Sequence, residues 1–197
     1  MDNIMIGPLA LYSFVCTATP GPNNIMLASS GLVFGFRRTM PHILGISMGC
    51  TVMLVLSGLG LAVVFQAVPM LQWVIRIAGA AYLLWLAARL WRVRSIAAAG
   101  AARPLGFWQA AAFQFVNPKA WAITISAIAG FAVPGRPIGE QITLITAVFI
   151  IGGLPWISCW AALGAAAREW LGNETAMRLF IRAMAVLTAL TAIFFLV

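Results

Sequence analysis

Two polar breaks inside long apolar stretches constrain the fold of this chain more than any other sequence feature. They are Pro20-Gly21-Pro22-Asn23-Asn24 and Asn117-Pro118-Lys119. The first interrupts the apolar stretch over residues 4–36, and the second interrupts the stretch over residues 107–133. A helix crosses the hydrocarbon core with about 20 apolar residues, so both stretches are long enough to span a membrane. Paired broken membrane helices are typical of transporters built from two repeats.

The composition supports a membrane location. Hydrophobic residues make up 63% of the 197 residues and charged residues 8%, and the mean hydropathy is +1.01. A soluble domain carries roughly a quarter charged residues, so this chain cannot cover itself with polar surface in water. No polar or charge-rich linker divides it, which predicts one all-α transmembrane domain over residues 1–197.

Six membrane-spanning helices are predicted, of which the first and fourth are broken. Their approximate bounds are residues 4–36, 43–65, 68–90, 107–133, 142–166 and 179–197. Nine of the 12 basic residues fall on or near alternate connecting segments: Arg37, Arg38, Arg89, Arg92, Arg94, Arg103, Arg168, Arg178 and Arg182. Because cytoplasmic segments are rich in Lys and Arg, this pattern predicts an arginine-rich cytoplasmic face and both termini in the periplasm. The start of the chain lacks a positive n-region, so we expect no signal peptide.

The net charge of +8 does not indicate nucleic-acid binding. A nucleic-acid site needs basic residues gathered on one solvated face, whereas these arginines lie in short clusters between apolar runs. The sequence also contains no combination of nucleophile, base and orienting group, and no phosphate-binding loop. We therefore expect no enzymatic activity and no cofactor, and the lipid bilayer rather than nucleic acid as a partner.

The first break removes helical hydrogen bonds at membrane depth. An unbroken helix over residues 4–36 would be about 50 Å long, well beyond the hydrocarbon core. Pro20 and Pro22 lack N–H donors, and lipid offers no partners to the carbonyls that they free. Such backbone is tolerated where it lines a cavity, and a half-helix beginning near Asn24 would direct its positive end there. This predicts a carboxylate-binding or gating site, with a ligand-free proline kink as the alternative.

The second break adds a charge. Lys119 is the only ionisable side chain between Arg103 and Arg136, and a lysine at mid-bilayer costs roughly 2.5 to 3.5 kcal/mol on insertion scales. That cost predicts a partner or a water-filled path, with snorkelling to an interface as the alternative.

The two breaks occupy corresponding positions in two halves of the chain. Pro22 and Pro118 are 96 residues apart, about half of 197. Three predicted spans fall in a first repeat of about residues 1–95 and three in a second of about residues 104–197. An odd number of spans inverts the second copy, so the breaks should meet near the midplane from opposite sides. The predicted substrate site consists of Pro20, Gly21, Pro22, Asn23, Asn24, Asn117, Pro118 and Lys119.

The roles within this site follow from the charges of an amino acid. We hypothesise that the half-helix after Pro22 and the Lys119 charge bind the carboxylate, because desolvated charges need such partners. We expect the amine to be bound by freed carbonyls and by the side chains of Asn23, Asn24 and Asn117.

Other residues are expected to serve packing. Gly31 with Gly35 and Gly45 with Gly49 have the spacing that lets helix backbones approach, and internal contact is favoured over dimerisation. Homo-oligomerisation stays open. The three cysteines, Cys16, Cys50 and Cys159, fall inside spans without metal-site spacing and are interpreted as packing residues. His42 is predicted at the cytoplasmic interface of the second span rather than in a proton relay.

The motifs around the breaks resemble one transporter family over essentially the whole chain. They are Thr19-Pro20-Gly21-Pro22-Asn23-Asn24, Ser29-Ser30-Gly31, Gly35, Arg37-Arg38, Gly45, Gly49 and Gln114-Phe115-Val116-Asn117-Pro118-Lys119-Ala120. This pattern is similar to the LysE/RhtB family of amino-acid exporters. The stretches over residues 78–87 and 113–119 resemble its cysteine and O-acetylserine exporters.

The resemblance implies a bacterial inner-membrane protein that exports a small amino acid or derivative by alternating access, driven by the proton gradient. One residue departs from the family pattern. Many members carry an aspartate just after the second glycine of the second span, where this chain has Cys50 after Gly49. The four acids, Asp2, Glu140, Glu169 and Glu174, all lie outside the apolar interiors. The usual residue for direct proton coupling is therefore missing, and the coupling ion stays open.

Two other classes share part of this pattern. A transmembrane thiol-disulfide carrier would need cysteines facing each other across the repeats, but the fourth span contains none to pair with Cys16. A passive channel or lipid-handling membrane protein would share the hydropathy and the breaks. A substrate-specific efflux phenotype would separate an exporter from both.

Overall fold

The fold is helical throughout the residues that the computed structural model describes, 6–61, 63, 67–92, 103–133, 135–170, 174–194 and 196. Within them lie eight α-helices and no strand. In chain order these are α1 (Ile6–Ala18), α2 (Pro22–Phe34), α3 (Phe36–Leu56), α4 (Pro69–Trp91), α5 (Phe107–Phe115), α6 (Pro118–Phe131), α7 (Ile138–Trp170) and α8 (Glu174–Phe194). A π-helical turn, Ser57–Leu61, extends α3.

Four helices are long and apolar enough to cross a membrane: Phe36–Leu61, Met70–Trp91, Ile138–Arg168 and Thr175–Ile193. Two further apolar stretches are each divided into shorter helices, α1 with α2 and α5 with α6. The predicted all-α membrane fold is therefore confirmed, with breaks at both predicted positions.

Proline sets the start of both second half-helices. Pro22 begins α2 and Pro118 begins α6. The first position of a helix suits proline, because its missing N–H would have no helical partner there. The second half-helix of the first break thus begins at Pro22, two residues before the predicted start near Asn24.

A single glycine joins α2 to α3. Gly35 has a φ of +81°, a conformation that glycine adopts without steric cost. The prediction of a connecting segment over residues 37–42 is wrong, because α3 already begins at Phe36 and contains Arg37 and Arg38. The expected packing role of Gly35 is also wrong, since a Cβ there would meet no atom within 4 Å.

Other glycines bring helix backbones into direct contact. A Cβ on Gly31 of α2 would collide with the Ala161 carbonyl of α7, and a Cβ on Gly164 of α7 would collide with the Ala28 carbonyl of α2. The α2–α7 contact is the most extensive between any two described helices. Small residues allow this approach where lipid provides no hydrophobic drive for association.

A second crossing joins α3 to α5. Gly45 of α3 lies against the Phe107 carbonyl of α5, and a Cβ on Gly49 would stand 2.7 Å from the Ala111 carbonyl. The prediction of internal packing is therefore confirmed for Gly31, Gly45 and Gly49. Between the two crossings, one buried cluster joins α2, α3 and α7 through Leu27, Ile43, Ile46 and Ile157.

His42 lies inside the helix bundle. Its side chain is 1% exposed, and neither ring nitrogen has a hydrogen-bond partner among the described residues. The tight turn at Gly35 brings the start of α3 directly against α2 and so buries this side chain. Its level at the cytoplasmic interface stays a prediction.

Candidate substrate site

The first break frees carbonyls at the end of α1, and a side chain from α2 satisfies two of them. Asn24 is buried, and its Nδ2 donates to the carbonyls of Thr17 at 2.9 Å and Thr19 at 2.8 Å. Since Asn24 lies in the first turn of α2, these bonds tie the start of α2 to the end of α1.

The N-terminus of α2 carries no side-chain cap. Gly21 precedes the helix in an extended conformation and has no side chain to accept from it. The first N–H groups of a helix lack partners within it, and here these belong to Asn23 and Asn24. The positive end of the α2 dipole is therefore available to an anion.

The second break is capped, unlike the first. Asn117 is 1% exposed, and its Oδ1 accepts from the Lys119 backbone N–H at 3.1 Å. This is an ordinary helix cap for α6. The two breaks share their proline positions, but only α2 keeps a free N-terminus.

Lys119 connects the two breaks. Its Nζ donates to the Thr19 carbonyl at 2.9 Å and lies 3.3 Å from both the Thr19 hydroxyl and the Pro20 carbonyl. A Cβ on Gly21 would stand 2.9 Å from the same Nζ, so glycine leaves room for the lysine to pass. The lysine therefore has partners for its charge in the carbonyls of the first break.

A reciprocal amide pair adds a second link. Asn23 Nδ2 donates to Gln114 Oε1 at 2.8 Å, and Gln114 Nε2 donates to Asn23 Oδ1 at 3.1 Å. Gln114 is fully buried and also donates to the Ala110 carbonyl at 2.9 Å. The sequence pattern included Gln114 in a motif without assigning it a role. Its position one helical turn before Asn117 was the available signal.

The breaks line a common cavity of about 80 Å³. Six of the eight predicted site residues line it: Gly21, Pro22, Asn23, Asn24, Asn117 and Lys119. Pro20 and Pro118 do not, although Pro20 supplies a carbonyl to Lys119. The structure therefore brings residues from both halves of the chain together around one space.

One face of α3 forms the opposite wall. Ser47, Cys50, Thr51 and Leu54 line the cavity at helical spacing, which puts them on one stripe. The sequence analysis missed Ser47 and Thr51. Two hydroxyls four residues apart, beside the glycines of the same span, were the signal that could have found them. Cys50 also contacts Gln114, with its Sγ 3.8 Å from Oε1.

The cavity is basic. Lys119 is the only charged residue among the described residues that line it, and no acid is among them. Glu140 is exposed at the start of α7. Asp2 and the side chains of Glu169 and Glu174 lie outside the described residues. The cysteines Cys16 and Cys50 line the cavity, whereas Cys159 is exposed, and all three are free.

The whole pattern matches a known family. The model of the LysE type translocators matches residues 14–197. The chain belongs to the LysE family. No solved structure gives a significant match.

Three curated relatives of this LysE-family chain share one name. A cysteine/O-acetylserine efflux protein of Salmonella choleraesuis is 33% identical over 171 residues, covering 83% of this chain and 84% of the relative. Proteins of the same name from Shigella flexneri serotype 5b and Escherichia coli O9:H4 are 33% and 34% identical over 168 residues, with the same shares of each chain. The predicted family is therefore confirmed, together with the likeness to cysteine and O-acetylserine exporters.

Proposed function

We propose that this protein exports a small neutral amino acid or derivative, such as cysteine or O-acetylserine, from the cytoplasm across the bacterial inner membrane. The names of the bacterial relatives support this substrate class. The observation that carries the proposal is the cavity between the two breaks, which combines an uncapped helix N-terminus with a lysine and has no acid among its described lining residues.

The carboxylate of the substrate binds at the start of α2. The free N–H groups of Asn23 and Asn24 and the positive dipole end of α2 provide partners for it. Lys119 adds a full charge from the facing break, since its Nζ lies against the Thr19 carbonyl only 2.9 Å away. A charge-assisted bond to a carboxylate is stronger than a bond to a neutral carbonyl, so the substrate competes favourably for this ammonium group.

The amine of the substrate binds to neutral oxygens. Ser47 and Thr51 of α3 carry hydroxyls into the lining of the cavity, and the Asn23 and Asn117 side chains lie across from them. These groups accept hydrogen bonds from an ammonium group without adding a negative charge. A substrate with a second positive charge would meet Lys119 and no counterion. The cavity therefore selects neutral side chains over lysine or arginine.

Transport follows alternating access between two inverted three-span repeats. Both second half-helices begin with proline, 96 residues apart, and α4 packs extensively against α8, the last helix of each repeat. The glycine crossings bring α2 and α5 tightly against α7 and α3. At the other break, the Tyr12 hydroxyl of α1 donates to the Ile123 carbonyl of α6 at 3.3 Å, and the Tyr12 ring packs against Phe131.

Transport by purified protein tests the proposal. Proteoliposomes containing the full chain are loaded with cysteine, O-acetylserine, threonine or lysine, and release is measured with and without a proton gradient. We expect release of the small neutral substrates and negligible release of lysine. Asn24→Ala and Lys119→Met should each lower release about tenfold, because the first leaves buried carbonyls unpartnered and the second removes the charge with little loss of volume.

Thr143→Ala is the matched control. Thr143 lies exposed on α7, and its hydroxyl bonds to the Gly139 carbonyl at 2.8 Å, outside the cavity. Its loss should leave release unchanged. Near-normal affinity and turnover in both Asn24→Ala and Lys119→Met would show that the breaks are structural kinks and that substrate binds elsewhere. Unselective leakage of all solutes would indicate a channel.

A further inference from the structure

A second and larger cavity lies at the arginine-rich end of the helices. Its volume is about 580 Å³, within the range of small-molecule sites. It is bounded by the end of α2, the start of α3, the end of α4 and the residues that lead into α5. It shares no lining residue with the cavity between the breaks.

The charge of this cavity is positive. Arg89 of α4 and Arg103 are its only charged residues among those described, and no acid lies with them. The Arg89 guanidinium carbon lies over the Trp85 ring, 5.0 Å from its centroid, and this cation–π contact does not require its N–H groups. Two guanidinium groups facing one space are suited to a phosphate, whose oxygens accept bidentate bonds.

The polar groups of the cavity are incompletely satisfied. His42 lines it with both ring nitrogens buried and unpartnered. Buried polar groups in native proteins are normally hydrogen-bonded, and exceptions often mark a bound group. Ser29 and Ser30, also in the lining, already bond to the Ile25 carbonyl and to Thr39.

The remaining wall is apolar. It consists of Met26, Val33, Phe34, Leu86 and Leu90. Leu86 and Leu90 belong to a helix that is long and apolar enough to cross a membrane, so this wall is suited to the apolar part of a lipid. A free phosphate would gain nothing from it, whereas the glycerol and first methylenes of a lipid would pack on it.

We propose that this cavity binds the phosphate of an anionic phospholipid. Arg89 and Arg103 hold the phosphate, the apolar wall takes the glycerol and the start of the chains, and the head group approaches His42. Basic pockets between membrane helices are known to hold anionic head groups. The lipid would join α2, α4 and α5 at the arginine-rich end.

Lipid binding to the purified full chain tests this assignment. Native mass spectrometry and thermal unfolding in detergent are measured with phosphatidylglycerol, phosphatidylcholine or inorganic phosphate added. We expect phosphatidylglycerol to be retained and to raise the unfolding temperature, with little effect from the other two. Arg89→Gln combined with Arg103→Gln should weaken phosphatidylglycerol binding at least about tenfold, because each arginine near a lipid phosphate contributes to affinity.

Arg76→Gln is the matched control. Arg76 also lies on α4 and stacks on a tryptophan, Trp73, at 5.7 Å, but at the other end of the helix. The single variant Arg103→Gln, at an exposed position, provides a second test if the double variant is unstable. Equal lipid retention by wild type and the Arg89/Arg103 variants would overturn the proposal. Saturation by inorganic phosphate, with no preference for the lipid, would overturn the assignment to a lipid.

Discussion

At the scale of single residues, the charge balance of the substrate cavity depends on one cysteine. Cys50 lines the cavity on the α3 face and contacts Gln114. Many LysE/RhtB exporters carry an aspartate at this position. With cysteine there, Lys119 is the only charge in the described lining. We therefore propose that the identity of residue 50 sets which amino-acid charges the cavity accepts.

Cys50→Asp should invert this selectivity. A carboxylate at position 50 would neutralise Lys119 and attract a cationic substrate. We expect release of lysine from proteoliposomes to become measurable, and release of cysteine to fall about tenfold, which corresponds to about 1.4 kcal/mol. Cys50→Ser is the neutral control and should keep the wild-type preference. Unchanged selectivity in Cys50→Asp at normal abundance would contradict charge-based selection.

The sequence predicted the residues of the breaks better than their partners. Proline and glycine fix local backbone conformation, so Gly21, Pro22 and Asn117 were recognisable from the chain alone. Contacts such as Asn23 with Gln114 join residues 91 positions apart. They depend on how the helices rotate against each other, which periodicity in a uniformly apolar span does not reveal. Ser47 was missed for the same reason, since both faces of its helix are apolar enough to face lipid.

At the scale of helices, the α2–α7 crossing holds two helix backbones in direct contact. Gly31 and Gly164 form it reciprocally, each against a carbonyl of the other helix. Because these contacts are backbone to backbone, no side-chain rotation relieves a clash. The crossing should therefore tolerate no added atom without separating the helices.

Gly31→Val should push α2 away from α7. Overpacking of this kind costs typically 1–3 kcal/mol, so we expect a lower unfolding temperature and loss of most export. Gly130→Ala in α6 is the control, since a Cβ there would meet no atom within 4 Å and alanine favours the helix. Thermal unfolding in detergent and release from proteoliposomes measure both effects. Wild-type stability in Gly31→Val would show that α7 leaves room for a side chain at this position of α2.

At the scale of the whole molecule, arginines are concentrated at one end of the helix bundle. The structure brings Arg89 and Arg103 together with the ends of α2 and α4, and Arg182 of α8 stacks on Trp91 of α4 at 5.4 Å. The arginine-rich segments thus meet at one end of the bundle. Their position relative to the cytoplasm follows from the positive-inside rule and remains a prediction.

Cysteine labelling from outside the cell tests that orientation. The three native cysteines are first replaced by serine or alanine, and the resulting variant should retain most export because thiol chemistry has no part in the proposed mechanism. A single cysteine at position 136 should then react with an impermeant reagent, and one at position 94, outside the described residues, should not. The reverse pattern would contradict periplasmic termini.

The bond from Lys119 to the first break leads to an expectation for the rate at which the carrier changes orientation. The ammonium group bonds to the carbonyls of Thr19 and Pro20 and so joins the two breaks. We propose that a bound carboxylate draws the ammonium group away and separates them. We expect the empty carrier to change orientation slowly and the loaded carrier quickly. Such a carrier would exchange internal substrate for external substrate faster than it would carry out net export.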